Sequence, residues 1–157
     1  MSENNLTKDL PSILHNLSSG CVRHSLQELD LTYNQITGSL PDLLVFSSLK
    51  SLVLDSNQLS GKIPEGSRLS FKLEFLSIRS NSYEGVVPKS FGSTCTLESL
   101  DLSLNKLSEE LRVIFNNLSG CSRYSLRELN LGWNKIPGIL PDFSMFLKLE
   151  ILYLSGN

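Results

Sequence analysis

The chain has 157 residues, of which 40% are hydrophobic, enough for one folded domain with its own core. A formal net charge of −2, from 14 basic and 16 acidic residues, gives no reason to expect nucleic acid or an anionic membrane surface as a partner. No apolar run approaches the roughly 18 residues that a membrane helix needs.

The first 25 residues predict no targeting signal and contain part of a repeat. The start, MSENNLTKDLPSIL, lacks the basic and apolar regions of a secretory signal. Residues 4–25 resemble residues 105–125, and SLQELDLTYNQITGSLPD at 25–42 returns as SLRELNLGWNKIPGILPD at 125–142. We expect the chain to begin inside one repeat and to stop at the strand of another, without a capping unit at either end.

Six copies of the pattern L-x-x-L-x-[LI]-x-x-N follow one another along the chain. They end at Asn34, Asn57, Asn81, Asn105, Asn134 and Asn157, with spacings of 23, 24, 24, 29 and 23 residues. Periods of about 20–29 with this spelling are the signature of a leucine-rich repeat. Leucines two apart point to one side of a strand, and stacked coils can bury them together. Each Asn amide is expected to satisfy backbone groups where the chain leaves the sheet.

The repeats predict an α/β repeat fold, a right-handed leucine-rich-repeat solenoid over residues 1–157 with about six coils. Its strands should form a parallel concave β-sheet, with 3-10 turns and short helices on the convex side. The fourth repeat carries Leu111, Ile114, Phe115 and Leu118 at helical spacing. Ser108 is expected to cap that helix, with two glutamates in its first turn.

A second phrase, L-x-G-x-[IVL]-P, follows the Asn in QITGSLP, QLSGKIP and KIPGILP, with SYEGVVP as a variant. The fourth repeat, KLSEELR, lacks both Gly and Pro. The phrase resembles the plant-specific class of extracellular leucine-rich repeats, whose coil reads LxxLxxLxLxxNxLxGxIPxx. That resemblance covers essentially the whole chain, and it implies a second short strand in each coil. LSGCSRYSL and PKSFG resemble phrases of the receptor-like proteins in particular.

Sequons and cysteines give the next expectations. The acceptor sequons begin at Asn5, Asn16 and Asn117. Cys95 and Cys121 both lie on the approach to a strand, one coil apart, so a disulfide between them is one possibility. Cys21 would then be unpaired. The alternative is three reduced cysteines that fill small buried gaps.

Catalytic chemistry finds little support in the sequence. There are two histidines, no Cys/His cluster with metal-ligand spacing and no Gly-rich phosphate loop. Asp30 and Asp101 should lie about 14 Å apart, and Asp30 and Asp55 about 8 Å, at roughly 4.8 Å per strand. The second distance suits an inverting glycosidase, but both carboxylates would stand on an open sheet. We therefore expect no enzyme, no cofactor and no metal.

Binding by the outward positions of the strands is the better-supported function. Aromatic side chains exposed on a rigid face can anchor a ligand, or they can pack as cross-strand pairs. The candidate ligand-binding residues are Tyr33, Phe75, Arg79, Trp133 and Tyr153. Arg79 with Asp55, and Lys50 with Glu74, are expected to form surface ion pairs.

The resemblance implies a segment of a plant cell-surface receptor that recognises a protein, peptide or glycan in defence or development. A co-receptor or adaptor kinase, and attachment to the plasma membrane, would come through the parent protein. Two alternatives remain: a secreted inhibitor of a microbial wall-degrading enzyme, and an intracellular scaffold.

Overall fold

The computed structural model describes residues 4–157, so the first three residues of the expected solenoid lie outside the described part. Its main sheet has six parallel strands arranged in chain order. They are Glu28–Asp30, Ser51–Val53, Phe75–Ser77, Ser99–Asp101, Glu128–Asn130 and Ile151–Tyr153. Because every coil adds one strand beside the previous one, the chain advances as a solenoid. The predicted parallel sheet is confirmed.

The leucines of the repeat form the core. The central residues of the six strands are paired with one another in register, from Leu29 to Leu152. Two positions later a second row, from Leu31 to Leu131, is also buried. Both rows point inward because side chains two apart in a strand share a face. Full burial of each leucine contributes about 1.5–3 kcal/mol, which a single coil could not achieve alone.

A second, three-stranded parallel sheet lies beyond the asparagines. Its strands are Ser60–Lys62, Ser82–Gly85 and Lys106–Leu107, and it contains two glycines of the second phrase, Gly61 and Gly85. Gly61 and Gly85 have φ angles of 78° and 79°, in the left-handed region that favours glycine. The plant-type resemblance implies a second short strand in each coil, and among residues 4–157 the structure has it in the second, third and fourth repeats. The sheet includes Lys106–Leu107 although that repeat lacks both Gly and Pro.

Two α-helices occupy equivalent places, one in the partial coil before the first strand of the main sheet and one in the fourth repeat. Leu10–Ser18 begins after Asp9, whose side chain accepts a hydrogen bond from the backbone N–H of Ser12 at 2.9 Å. Leu111–Leu118 buries its four predicted apolar residues, but Ser108 does not cap it. The backbone N–H of Ser108 donates to Gly85 in the preceding coil, so the helix begins later, after Glu110. The cap prediction was wrong because residue 108 is still hydrogen-bonded to the preceding coil and so cannot yet be at the start of the helix.

Shorter helical turns complete the side opposite the main sheet. They are the helix Val22–Ser25 and the 3-10 helices Phe91–Ser93 and Cys121–Tyr124. The Phe91 ring is fully buried, so its turn anchors the third coil to the core. The predicted combination of short helices and 3-10 turns is therefore present.

Asparagine side chains form a continuous ladder between coils. Asn105 donates its amide to the carbonyls of Ile78, Leu102 and Ser103, and its side-chain oxygen accepts from the N–H of Tyr83. The same set of bonds recurs, with small variations, at Asn34, Asn57, Asn81, Asn134 and Asn157. The amides thus satisfy main-chain groups where the chain leaves the main sheet.

Candidate ligand-binding face

The outward side of the main sheet, which we call the concave face, consists of four columns of aligned residues. The first column starts at Glu28, the second at Asp30, the third at Thr32 and the fourth at Tyr33. Parallel in-register pairing repeats each column once per coil. The leucines next to the columns point into the core, so the column positions lie on the outward side as a regular grid. Ser77 and Ser103 are nevertheless buried by their neighbours on that side.

The fourth column has a backbone conformation that sequence reasoning missed. Its non-glycine members all have positive φ, between 51° and 56°: Tyr33, Ser56, Ser80, Leu104 and Trp133. Its last member, Gly156, has φ 77°. The left-handed turn lets the following Asn reach inward, at a cost of roughly 1–2 kcal/mol per non-glycine residue. The only sequence signal is the single glycine in this column.

Trp133 forms a fixed platform on this column. A β-carbon on Gly156 would lie 2.8 Å from Cδ2 of Trp133, so the indole lies against the glycine backbone of the next coil. The side chain nevertheless stays 63% exposed. The glycine thus supports the indole from the coil side and leaves much of it available to a ligand. Tyr33, the equivalent residue of the first coil, is 62% exposed.

Two adjoining grooves run across the concave face. The first has a volume of about 390 Å³ and brings together Arg79, Trp133 and Tyr153. The second, of about 420 Å³, brings Tyr33 together with Arg79. Both grooves share Arg79 and Leu104, so they meet at the centre of the sheet. Phe75, on the first column, lines neither groove, and the structure therefore separates it from the other four candidates.

Carboxyl groups on the face are held by neutral donors. Asp55 accepts from the hydroxyl of Ser77 at 2.5 Å and from the backbone N–H of Arg79 at 3.0 Å. Burial raises the pKa of Asp55 above its ordinary value, outweighing these two bonds. The expected ion pair between Asp55 and the guanidinium of Arg79 is not formed; Arg79 donates its backbone N–H to Asp55, and its charge slightly favours the ionised carboxylate. The Lys50–Glu74 pair is confirmed, at 3.4 Å.

Asp101 and Asn130 continue this network into the first groove. One oxygen of Asp101 accepts from the N–H and hydroxyl of Ser103, at 2.8 and 2.6 Å. The other accepts from the side-chain amide of Asn130 at 3.1 Å. All these donors are neutral, so the carboxylate is oriented by hydrogen bonds, and none of the ion pairs among residues 4–157 includes it.

The disulfide and glycosylation candidates lie away from the concave face. The structure joins Cys95 and Cys121 in a disulfide with Cα atoms 4.7 Å apart, and Cys21 is free and exposed. Asn16 is exposed on the helix Leu10–Ser18. Asn117 is half-buried, and its Nδ2 atom, to which a glycan would attach, donates to the carbonyl of Val87 at 2.9 Å.

The third sequon lies close to the start of the described chain. Asn5 is exposed, and its side-chain oxygen accepts a hydrogen bond from the amide of Gln35 at 2.5 Å. Within residues 4–157, no cluster of His, Cys, Asp and Glu could hold a metal ion. In the same range, no helix has the length and apolar character needed to cross a membrane.

Repeat-family models match four segments of the chain. Residues 25–46, 48–68 and 125–147 match a model described as Leucine Rich Repeat. Residues 94–110 match a second model, described as Leucine Rich repeat. The matched segments contain the strands of the first, second, fourth and fifth repeats.

Curated relatives come from plants. Receptor-like protein EIX2 of Solanum lycopersicum is 42% identical over 134 residues, which is 85% of this chain and 11% of that protein. Receptor-like protein 32 of Arabidopsis thaliana is 36% identical over 157 residues, 99% of this chain and 14% of that protein. The chain thus spans only about a tenth to a seventh of the length of these relatives.

Solved structures of plant receptors share the same architecture. A TDR receptor superposes with a TM-score of 0.79 at 28% identity, covering 100% of this chain and 26% of that one. The ectodomain of the Arabidopsis receptor kinase HAESA, solved with an N-terminally extended IDA peptide hormone, superposes with a TM-score of 0.79 at 34% sequence identity. The match covers 99% of this chain and 25% of that one. The structure of HAESA with the peptide hormone IDA and the co-receptor SERK1 superposes with a TM-score of 0.74 at 29% sequence identity. That match covers 100% of this chain and 24% of the other. Repeats, relatives and architecture together show that the chain belongs to the leucine-rich-repeat family, in its plant extracellular receptor class.

Proposed function

We propose that this chain is a ligand-recognition segment of a plant cell-surface immune or developmental receptor, and that it binds a peptide or protein on its concave face. The observation that carries the proposal is the pair of exposed aromatic side chains, Trp133 and Tyr153, beside one groove of a rigid sheet. Aromatic side chains lose little conformational entropy on binding and bury a large area, which makes them effective anchors.

The relatives support a binding role rather than catalysis. The HAESA ectodomain was solved with a peptide hormone, and one of its structures also contains a co-receptor. By analogy, we place this face on the extracellular side of the plasma membrane, with a co-receptor or adaptor kinase contacting the parent protein elsewhere. The open grooves also favour binding, because a catalytic carboxyl needs a site that excludes water.

Peptide selection tests this proposal even though the ligand is unidentified. A random dodecapeptide library displayed on phage is selected on the immobilised chain, and the retained pool is then measured on variants. Trp133→Ala and Tyr153→Ala should reduce retention at least about tenfold, since anchors of this kind contribute over 1 kcal/mol. The matched control is Phe71→Ala, which removes an aromatic side chain that is 76% exposed and lines neither groove.

Circular dichroism spectra of all three variants should match that of the parent chain. If Trp133→Ala and Tyr153→Ala retain the selected peptides as well as the parent chain does, the concave face is excluded as the binding site. Loss of retention with Phe71→Ala alone would place the site on the flank of the solenoid.

A further inference from the structure

The concave face has a charge that differs from that of the rest of the molecule. Its four columns contain one guanidinium, Arg79, and five carboxylates: Glu28, Asp30, Asp55, Asp101 and Glu128. The formal net charge of the face is therefore −4, whereas the whole chain carries −2. The remainder of the chain thus has a net charge of +2, and the negative charge is concentrated on the side that bears the exposed rings of Tyr33, Trp133 and Tyr153.

Within the described part of the chain, none of these carboxylates forms an ion pair. The five ion pairs between residues 4 and 157 lie on the flanks and loops, and none includes a carboxylate of the concave face. Asp30 and Asp101 accept hydrogen bonds only from neutral N–H and O–H groups. Glu128 accepts one long bond, at 3.4 Å, from the hydroxyl of Ser99. A cationic ligand would find these carboxylates without having to displace a lysine or arginine.

The first groove combines charge and aromatic surface. Asp101 and Glu128 line it together with Trp133 and Tyr153, whose side chains are 63% and 49% exposed. Cations are attracted to the faces of aromatic rings, and the methylene groups of lysine and arginine cover such rings while the charged end reaches nearby carboxylates. The indole is already fixed on Gly156, so a ligand need not order it.

We infer that this groove binds a lysine or arginine side chain of a basic peptide, with the aliphatic stem against Trp133 and Tyr153 and the cation beside Asp101 and Glu128. The inference rests on the proposed function and names the ligand class for that same face. Arg79, at the junction of the two grooves, opposes a cation by charge repulsion and so confines it to the Trp133 end of the groove.

The fluorescence of Trp133 gives a direct measurement, because it is the only tryptophan in the chain. The probe is a blocked pentapeptide in which two arginines alternate with three glycines. Two matched probes replace both arginines with glutamine or with glutamate. The arginine peptide should change the fluorescence saturably and bind at least about tenfold more tightly than the glutamine peptide, with an affinity that falls as salt screens the charges. The glutamate peptide should give no response.

Charge variants locate the cation. Asp101→Asn and Glu128→Gln should each weaken the arginine peptide about threefold to tenfold, and Arg79→Gln should strengthen it. Glu65→Gln, an exposed residue that lines neither groove, makes the same change in net charge and should leave affinity unchanged. Glu128→Gln retains the hydrogen-bonding shape of the side chain, so it remains informative if Asp101→Asn disturbs the fold.

Several outcomes would overturn the inference. They are equal binding of the glutamine peptide, tighter binding of the glutamate peptide, unchanged affinity in both carboxylate variants, or no fluorescence response to any probe. The proposed function would survive all of these if the phage selection still depended on Trp133 and Tyr153. If that selection also failed, the concave face itself would be excluded.

Discussion

Gly92 lies directly against the main-chain carbonyl of Asn117, in the next coil. A β-carbon on Gly92 would be 2.1 Å from that oxygen, and one on Gly120 would be 2.4 Å from the carbonyl oxygen of Gly92. Neither glycine has a positive φ, so space rather than backbone conformation requires the missing side chain. The disulfide between Cys95 and Cys121 joins the same two coils a few residues away. Close backbone contact and a covalent bond therefore coincide at the longest repeat.

Replacement of Gly92 by alanine should destabilise the fold. The added methyl group has to push two backbones apart, and overpacking of this kind costs about 1–3 kcal/mol. The matched control is Gly66→Ala, since nothing lies within 4 Å of a β-carbon there. Urea unfolding followed by circular dichroism measures both variants. Equal stabilities of the two variants would show that the coils can separate without cost.

The disulfide predicts the number of free thiols in the chain. Thiol titration of the unfolded, unreduced chain should find one thiol per molecule, from Cys21; a count of three would contradict the disulfide. Replacement of both Cys95 and Cys121 by serine should lower the free energy of unfolding by about 3.5 kcal/mol, as expected for a closed loop of this length. The sequence separation of the pair is 26 residues. Cys21→Ser, at an exposed site, should change stability little.

Much of the fold could be predicted because the same pattern of inward leucines and a terminal asparagine occurs six times in the sequence. Each coil needs two inward leucines and one amide that bonds main-chain groups, and Leu129, Leu131 and Asn134 meet those requirements in the structure. The helix Leu111–Leu118 was also predictable, since its apolar spacing matches the face that it buries. The role of Ser108 was not predictable, because the hydrogen bond of its N–H to Gly85 in the preceding coil overrides the local preference of serine for a helix cap.

The site was harder to predict than the fold. Alternation along a strand shows which side chains point outward, but it does not show which of them share a groove. Phe75 and Trp133 are both outward aromatics, yet only Trp133 lines a groove. The left-handed turn that positions Trp133 leaves almost no trace in the sequence, because Tyr, Ser, Leu and Trp all occupy it. Arg79 hydrogen-bonds Asp55 through its backbone N–H and not through its guanidinium, and residue types alone do not distinguish these two arrangements.

Loss of a ladder asparagine should be costly. In Asn105→Ala, three carbonyls lose a donor and the N–H of Tyr83 loses its acceptor, all in a buried environment. Because an unsatisfied buried group costs about 1–3 kcal/mol, the free energy of unfolding should fall by roughly 2–4 kcal/mol. Asn116→Ala, at an exposed helical position, is the control. A melting temperature unchanged in Asn105→Ala would mean that water replaces the amide.

Glycan occupancy should differ between two equivalent sequons. When the chain is secreted from a plant cell line, Asn16 should be glycosylated and Asn117 largely unmodified in folded material. To carry a glycan, the half-buried side chain of Asn117 would have to turn outward and lose its hydrogen bond to the carbonyl of Val87. Asn16 is exposed and needs no such change. Peptide mapping by mass spectrometry measures both sites in one sample. High occupancy at Asn117 in the folded fraction would show that this part of the coil opens to accommodate a sugar.

Asp55 predicts how stability depends on pH. Burial, the largest influence, raises the pKa of Asp55 in the folded chain above the ordinary value of 3.8. Between the two values the folded state binds more protons than the unfolded state, so stability falls as pH rises through the folded pKa. Below about pH 3.8 the side chain is neutral in both states and the cost disappears. At neutral pH the cost of the half-buried charge is fully present.

Asp55→Asn should therefore raise the melting temperature at pH 7, and the gain should vanish toward pH 3. Asparagine keeps a side-chain oxygen that can accept from Ser77 and from the N–H of Arg79, so the change removes charge with little loss of bonding. Asp30→Asn is a control of opposite sign: hydrogen bonds from Thr32 lower the pKa of Asp30, so its charged form is favoured and its replacement should reduce stability at pH 7. Calorimetry between pH 3 and pH 7 measures both. A destabilised Asp55→Asn at pH 7 would show that the bonds to Ser77 and Arg79 favour the ionised carboxylate by more than burial disfavours it.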